Sequence, residues 1–269
     1  MSVQFRQKAL SKLQSPEELD LPVRFARPQG RLVLALTAIV MAAGCLWAVN
    51  GTVSSKLRAP GVLTHAEGSY VLQSPVAGQV TRVLAKEGQL LAKGAPLLDV
   101  RTPQGDRSVR AVAAGRVTAL VAGIGTVVTT GSDVATMERV GNPEDPLVAM
   151  VYVPGGSGAG VPVGARVDLT VQSAPAQRFG VLRGRVKAVG RTPQSRRQIA
   201  GFLGDGELAG QFTKSGQPVA VLVELERAAT KSGYAWSSTG GPPYAIDSAT
   251  QVRAAVHLAA QHPVDWLLP

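Results

Sequence analysis

The stretch Pro75–Val80 (PVAGQV) returns 37 residues later as Val112–Val117 (VAAGRV). The same offset carries Glu87-Gly88 onto Ile124-Gly125, and Lys93-Gly94 onto Thr130-Gly131. Several separate matches in one register mark an internal duplication, and a duplicated unit constrains the fold more than any single motif. Each copy reads as short strands divided by glycines, with Tyr70–Leu72, Gln79–Val83, Leu97–Val100 and Val117–Val121 as the clearest strands. Gly78, Gly88, Gly94, Gly115, Gly125 and Gly131 are read as turn glycines, supplying either positive φ or a close backbone approach. The repeat predicts one β domain over residues 62–138, with its two copies face to face.

The composition suits such a fold. Of the 269 residues, 45% are hydrophobic but only 4% aromatic, so a core must be built from Val, Leu and Ala. The 30 glycines and 18 prolines are spread along the chain as frequent turns require, and the class is mainly β. Formal net charge is +10, of which +7 lies beyond residue 49. Such a surface can meet anionic lipid, anionic wall polymer or nucleic acid. No basic stripe interleaved with aromatics and no zinc-finger or RNP pattern occurs, so nucleic acid is not an expected partner. The remaining reading is a generic solvated basic surface.

Leu32–Val49 (LVLALTAIVMAAGCLWAV) carries no charge and is long enough for a transmembrane helix of about 27 Å. Leu32, Leu36, Ile39, Leu46, Trp47 and Val49 are the anchoring side chains, with Trp47 at interfacial depth. Arg24, Arg27 and Arg31 precede the span and no charge follows it until Lys56. The positive-inside rule then puts residues 1–31 in the cytosol and the bulk outside a cytoplasmic membrane crossed once. A cleaved signal peptide and a lipoprotein signal at Ala42–Cys45 are the competing readings. The first needs a shorter leading segment and the second a bulky aliphatic at position 42. Cys45, the single cysteine, reads as a small residue in the span.

In the cytosolic segment Phe5, Ala9 and Leu13 fall on one helical face. Ser15, Pro16 and Glu18, with Glu17 between them, spell a fresh helix start with a capping box. Phe5, Ala9, Leu13, Glu17 and Glu18 are either a docking element for a partner or an amphipathic helix on the membrane surface.

Residues 50–61 read as a linker and first barrel-side strand, and residues 139–269 as a small antiparallel barrel. Leu147–Val153 is a buried strand, Pro154–Gly160 a loop, and Val161–Val171, Val181–Val189 and Val219–Leu225 carry further strands. A last strand, 252–260, closes the domain. Arg183, Arg185 and Lys187 share one strand face, solvated or turned to an acidic partner. Ile199–Phe212 lies between strands. The glycines of residues 154–160 lack the Gly-Lys-Ser/Thr ending of a phosphate loop.

Catalysis finds no support in the residue pattern. His65, His257 and His262 have no cysteine or carboxylate at metal-ligand spacing, and each reads as a surface residue. No Gly-x-Ser-x-Gly nucleophile motif occurs. No catalytic, cofactor-binding or metal residue is assigned.

The duplicated stretch resembles the biotinyl/lipoyl domain family, a flattened β-sandwich of two halves. In carrier members a modified lysine sits on the turn between the halves. The matching stretch, Arg101–Arg107 (RTPQGDR), has no lysine, so no cofactor is expected. In secretion adaptors of the HlyD type the same junction often holds a long helical hairpin. Seven residues cannot hold one, and no heptad pattern occurs outside the span, so no coiled-coil hairpin is expected.

The residues 5–10 (FRQKAL) and 15–20 (SPEELD), the span, the repeat and the barrel together look like one subgroup of HlyD-type membrane fusion proteins. These are the secretion proteins of nitrile-hydratase-leader microcin, or bacteriocin, export systems. Gly233–Pro243 (GYAWSSTGGPP) and His262–Pro269 (HPVDWLLP) are similar to that subgroup's tail. Ser248-Ala249-Thr250 departs from it, a Ser-Gly-Thr-like turn being expected there. The resemblance implies a non-catalytic adaptor that assembles in several copies with an ABC transporter, often one with a peptidase domain, to export a peptide. The alternative is a membrane-anchored extracytoplasmic module that binds anionic wall polymer or lipid.

Overall fold

A computed structural model describes residues 28–51, 55–142 and 145–259. Its first element is α1 (Pro28–Asn50), a helix that begins four residues before the expected span and ends one beyond it. Proline is tolerated at a first helical position, where no intrahelical N–H is needed, and the helix runs on through Gly30 to Leu32. Residues 30–50 have a mean hydropathy of 2.4 over their most apolar window, and none of that window is buried. The helix is therefore long and apolar enough to cross a membrane.

The rest of the chain is mainly β. Strand β1 (Lys56–Thr64) opens a closed six-stranded barrel, ordered β1-β10-β13-β12-β11-β14 and antiparallel throughout. Its other strands are β10 (Val148–Pro154), β11 (Arg166–Val171), β12 (Leu182–Val189), β13 (Pro218–Leu225) and β14 (Gln251–His257). Between β1 and β10 the chain leaves the barrel and builds a sandwich. The boundary expected at residue 62 moves accordingly, because Val62, Leu63 and Thr64 still pair with Met150, Ala149 and Val148 of β10. Leu63, fully buried in the barrel core, holds β1 to that length.

The sandwich has eight strands: β2 (Ser69–Gln73), β3 (Gly78–Val83), β4 (Leu90–Leu91), β5 (Pro96–Thr102), β6 (Gly105–Arg110), β7 (Gly115–Leu120), β8 (Val127–Val128) and β9 (Asp133–Arg139). Its two sheets are β2-β9-β7-β4 and β6-β5-β3-β8. A shift of 37 residues turns β2, β3, β4 and β5 into β6, β7, β8 and β9, and so turns one sheet order into the other. Each sheet mixes strands of both copies.

The hydrogen bonds obey the same exchange. Gly88 N–H donates to Val117 O at 2.7 Å, and Gly125 N–H to Val80 O at 2.8 Å. Gly94 N–H donates to Ala111 O and Gly131 N–H to Ser74 O, both at 2.8 Å. Both copies bulge at the same place, between Val80 and Arg82 and between Val117 and Ala119. The core pairs likewise, Leu72 with Val109, Val80 with Val117, Leu98 with Ala135 and Val100 with Met137.

The six repeat glycines divide by cause. Gly88, Gly94, Gly125 and Gly131 sit at φ between +81° and +89° in turns, where a side chain is strained. Gly78 and Gly115 are not turn residues, because they open β3 and β7. There a Cβ would lie 2.1 Å from Arg101 O and 2.2 Å from Glu138 O, so the crossing backbone forbids one.

Three short helices decorate the barrel. They are α2 (Ala176–Phe179), α3 (Arg196–Leu203) and α4 (Gly206–Phe212). A capping box between Ser195 and Gln198 starts α3, and Gly204 ends it in the left-handed region. The Asp205 carboxylate then accepts from Glu207 and Leu208 N–H at 2.9 Å to start α4. Residues 155–160, expected as a loop, form a 3-10 turn.

Candidate functional site

The expected anchor side chains Leu32, Leu36, Ile39, Leu46, Trp47 and Val49 are 56–72% exposed on α1. Arg31 is exposed on the same helix. Arg24, Arg27, Phe5, Ala9, Leu13, Glu17, Glu18 and His262 lie outside the described residues.

The connection between the sandwich halves is the two-residue turn Pro103-Gln104, closed by Thr102 Oγ1 donating to Gly105 O at 2.7 Å. Attaching a lipoyl or biotinyl group takes a lysine ammonium at such a tip. The cations beside it, Arg101 and Arg107, are guanidinium groups that form no such amide. The residues present do not fit a carried group. Nor does the turn leave room for a helical arm.

The best-built polar cluster lies where sandwich and barrel meet. Glu138, at the end of β9, is 1% exposed. One of its oxygens, Oε1, accepts from His65 N–H at 3.0 Å and from Thr64 Oγ1 at 3.1 Å, with His65 Nδ1 at 2.9 Å. Burial alone pushes the Glu138 carboxyl up. Hydrogen bonds from His65 and Ser248, with the His65 charge, outweigh it and hold the carboxyl at about 2. This buried anion ties Thr64, at the end of β1, and His65 to β9.

Helix α3 braces the same junction. Ile199 and Leu203 pack with Val62 and Tyr152 of the barrel, while Phe202 and Gly204 press on Gly68 and Thr136 of the sandwich. The fit is close, since a Cβ on Gly204 would come within 2.6 Å of Thr136 Cγ2.

The conspicuous Gly233–Pro243 stretch seals one part of the barrel core. Trp236 is 7% exposed, and its Nε1 donates to Ser232 Oγ at 2.9 Å. Tyr234 OH accepts from Leu147 N–H at 2.9 Å. Gly241 stands so close that a Cβ would meet the indole at 2.3 Å. Ala249 takes φ +59°, the only non-glycine residue at positive φ among the described residues. The expected glycine at this place therefore has a backbone reason.

Two histidine readings need correction. His65 is a buried junction residue, not a surface one, and half-buried His257 lies 2.7 Å from Asp168 Oδ2. Both carboxylates are 73 or more residues away in sequence, so no local spacing announced them. The face of Arg183, Arg185 and Lys187 finds part of its acidic partner within the chain, as Arg185 pairs with Glu226 at 2.9 Å and Lys187 with Glu224 at 3.5 Å. The α3 brace was also missed, although Ser195 and Gln198 spell its capping box. Among the described residues no group of His, Cys, Asp and Glu could hold a metal ion.

No protein-family profile and no curated protein sequence matches this chain. Solved structures do match it. ZneB from Cupriavidus metallidurans superposes with a TM-score of 0.52 at 10% identity, over 77% of this chain and 100% of ZneB. MacA from Actinobacillus actinomycetemcomitans gives 0.52 at 10% identity, over 79% of this chain and 81% of MacA. A MacA–MexA chimera containing the Pseudomonas aeruginosa MexA α-hairpin domain gives 0.50 at 10% identity, over 79% and 84%. At such identity the likeness establishes the fold alone, the one this chain shares with ZneB and MacA.

Proposed function

We propose that this chain is a non-catalytic adaptor of the HlyD type, anchored by α1 in the cytoplasmic membrane with its β domains outside. In this reading it assembles in several copies with an ABC transporter and forms a collar through which a peptide is exported. One observation carries the proposal. A fully exposed apolar helix precedes a closed barrel with an inserted duplicated sandwich, and that sandwich has lost the lysine of a carrier. The fold that the chain shares with ZneB and MacA supports it. The bacteriocin subtype rests on the sequence resemblance.

The physical role is mechanical. The buried Glu138 cluster and α3 both join sandwich and barrel, which suits a wall element more than a swinging arm. Residues 1–31 and α1 would dock on the transporter, with Arg24, Arg27 and Arg31 setting the direction of insertion. Several copies are needed because one sandwich, its core filled by its own side chains, encloses no path.

Purification of the tagged full chain in a mild detergent tests this reading. A polytopic ABC transporter should co-purify, and should be lost when residues 1–49 are exchanged for an unrelated anchor. A chain that emerges alone from several mild detergents contradicts it.

A further inference from the structure

The outer surface of the barrel is of two kinds. Over β10, β13 and the second half of β1, the side chains Val62, Met150, Tyr152 and Ala220 are roofed by α3 and α4. Across β14, β11, β12 and the first half of β1 the outward side chains are bare and basic. Lys56, Arg58, Arg166, Arg183, Arg185 and Arg253 are all exposed there. Strand register sets them in rows. Arg58 stands opposite Ala255, which stands opposite Asp168, which stands opposite Arg183. Pro60, Arg253 and Thr170 form the next row. Small residues between the cations leave a shallow groove with Arg58 and Arg253 along it.

Two carboxylates answer these six cations. Asp168 is engaged by His257 at 2.7 Å and Lys56 at 3.7 Å, and Glu226 by Arg185. Arg58, Arg166, Arg183 and Arg253 have no ion-pair partner among the described residues. Moreover, Arg166 lies directly opposite Arg185 across β11 and β12. Like charges at such a pair destabilise a sheet, so folding alone gives no reason for the arrangement.

We infer that this bare face binds the phosphodiester headgroups of anionic phospholipid. Guanidinium forks match phosphate oxygens, and a flat array along a sheet suits a headgroup layer better than one enclosed small ligand. The chain itself indicates the source. Lys56 follows Asn50, the last residue of α1, by six Cα steps, which at full extension cover about 20 Å. Only a short length of chain thus joins the cations of β1 to the end of an apolar helix. The inference rests on that helix being a membrane anchor.

The test uses the full chain in lipid nanodiscs, neutral (phosphatidylcholine) or part anionic (phosphatidylglycerol), with a fluorophore on Thr170→Cys in a Cys45→Ser background. Co-elution with both disc types reports the anchor on its own. Quenching by a headgroup nitroxide reports the face. Quenching should be stronger in anionic discs and should fade between about 50 and 500 mM salt. Each cation removed should weaken it by about fivefold, so Arg58→Gln with Arg253→Gln should nearly abolish it. Lys86→Gln with Lys93→Gln, on the sandwich, should leave it unchanged. Equal quenching in the two discs, or indifference to the arginine changes, overturns the inference and returns the face to an acidic protein partner. Binding of inorganic phosphate to the face in neutral discs, with no added quenching in anionic discs, assigns the face to a free anion and overturns it as well.

Discussion

The sandwich and the barrel reach a closed core by opposite routes. In the sandwich every device occurs twice: the core pairs, the glycine turns, the bulges and the crossing glycines. In the barrel and at its junction with the sandwich each device occurs once, some spanning long stretches of sequence and some a single tight loop. Glu138 reaches His65, Trp236 reaches Ser232 across a tight loop, and α3 and α4 roof one wall. Duplication lets a chain poor in aromatics specify a fold through backbone geometry. The single-copy barrel relies on side chains and tolerates local strain, as at Ala249. Equivalent changes in the two halves of the sandwich should therefore behave alike, whereas changes in the barrel should each have their own size.

The largest effect is expected at the crossing glycines. Gly78→Val and Gly115→Val each force a Cβ against a carbonyl oxygen 2.1–2.2 Å away and should cost about 3 kcal/mol or more. Urea unfolding of the two variants should give similar losses, and a large inequality would break the equivalence of the halves.

Glu138 comes next. Its carboxyl lies at about 2 against an ordinary value of 4.5, a difference equivalent to about 3 kcal/mol near neutral pH. Because the folded value is depressed, this stability is full above about pH 5 and is lost as pH falls from 4.5 through 2. Glu138→Gln should unfold more easily at pH 7 and flatten that acid limb. Denaturant midpoints measured from pH 7 down to 2 would show it, and a wild-type-like limb in the variant would count against the junction cluster.

Smaller gains are expected where the barrel carries local cost. Ala249→Gly should stabilise by up to about 1 kcal/mol, the left-handed backbone being costly for alanine. Tyr152 stacks on Phe212 at 4.6 Å, but its buried hydroxyl has no hydrogen-bond partner among the described residues. Tyr152→Phe should therefore be neutral or stabilising by roughly 0.5–1 kcal/mol. Thermal midpoints check both, and a loss on Tyr152→Phe would show that the hydroxyl has work to do.

How much of this was legible follows the same division. The offset between Gly78 and Gly115 was enough to place the sandwich, since repetition turns weak strand signals into a register. The apolar run 32–49 was legible from its length and lack of charge. The division of the six glycines into turn residues and crossing residues was not, because a close approach depends on which strand passes by. His65 and His257 were misread because their carboxylates come from strands distant in sequence. The barrel boundary slipped from Thr64 to residue 61 because β1 pairs with β10 only after the whole sandwich has intervened. The α3 brace was hidden for a different reason. Its apolar side chains Ile199 and Leu203 lie among glycines and polar residues, and only the Ser195–Gln198 cap announces a helix.

The central claim is that several copies of a stiff two-domain wall element surround one transporter. Native mass spectrometry of the complex purified in mild detergent tests it most directly. The account predicts several copies of this chain per transporter dimer. A complex with a single copy per dimer would contradict the collar.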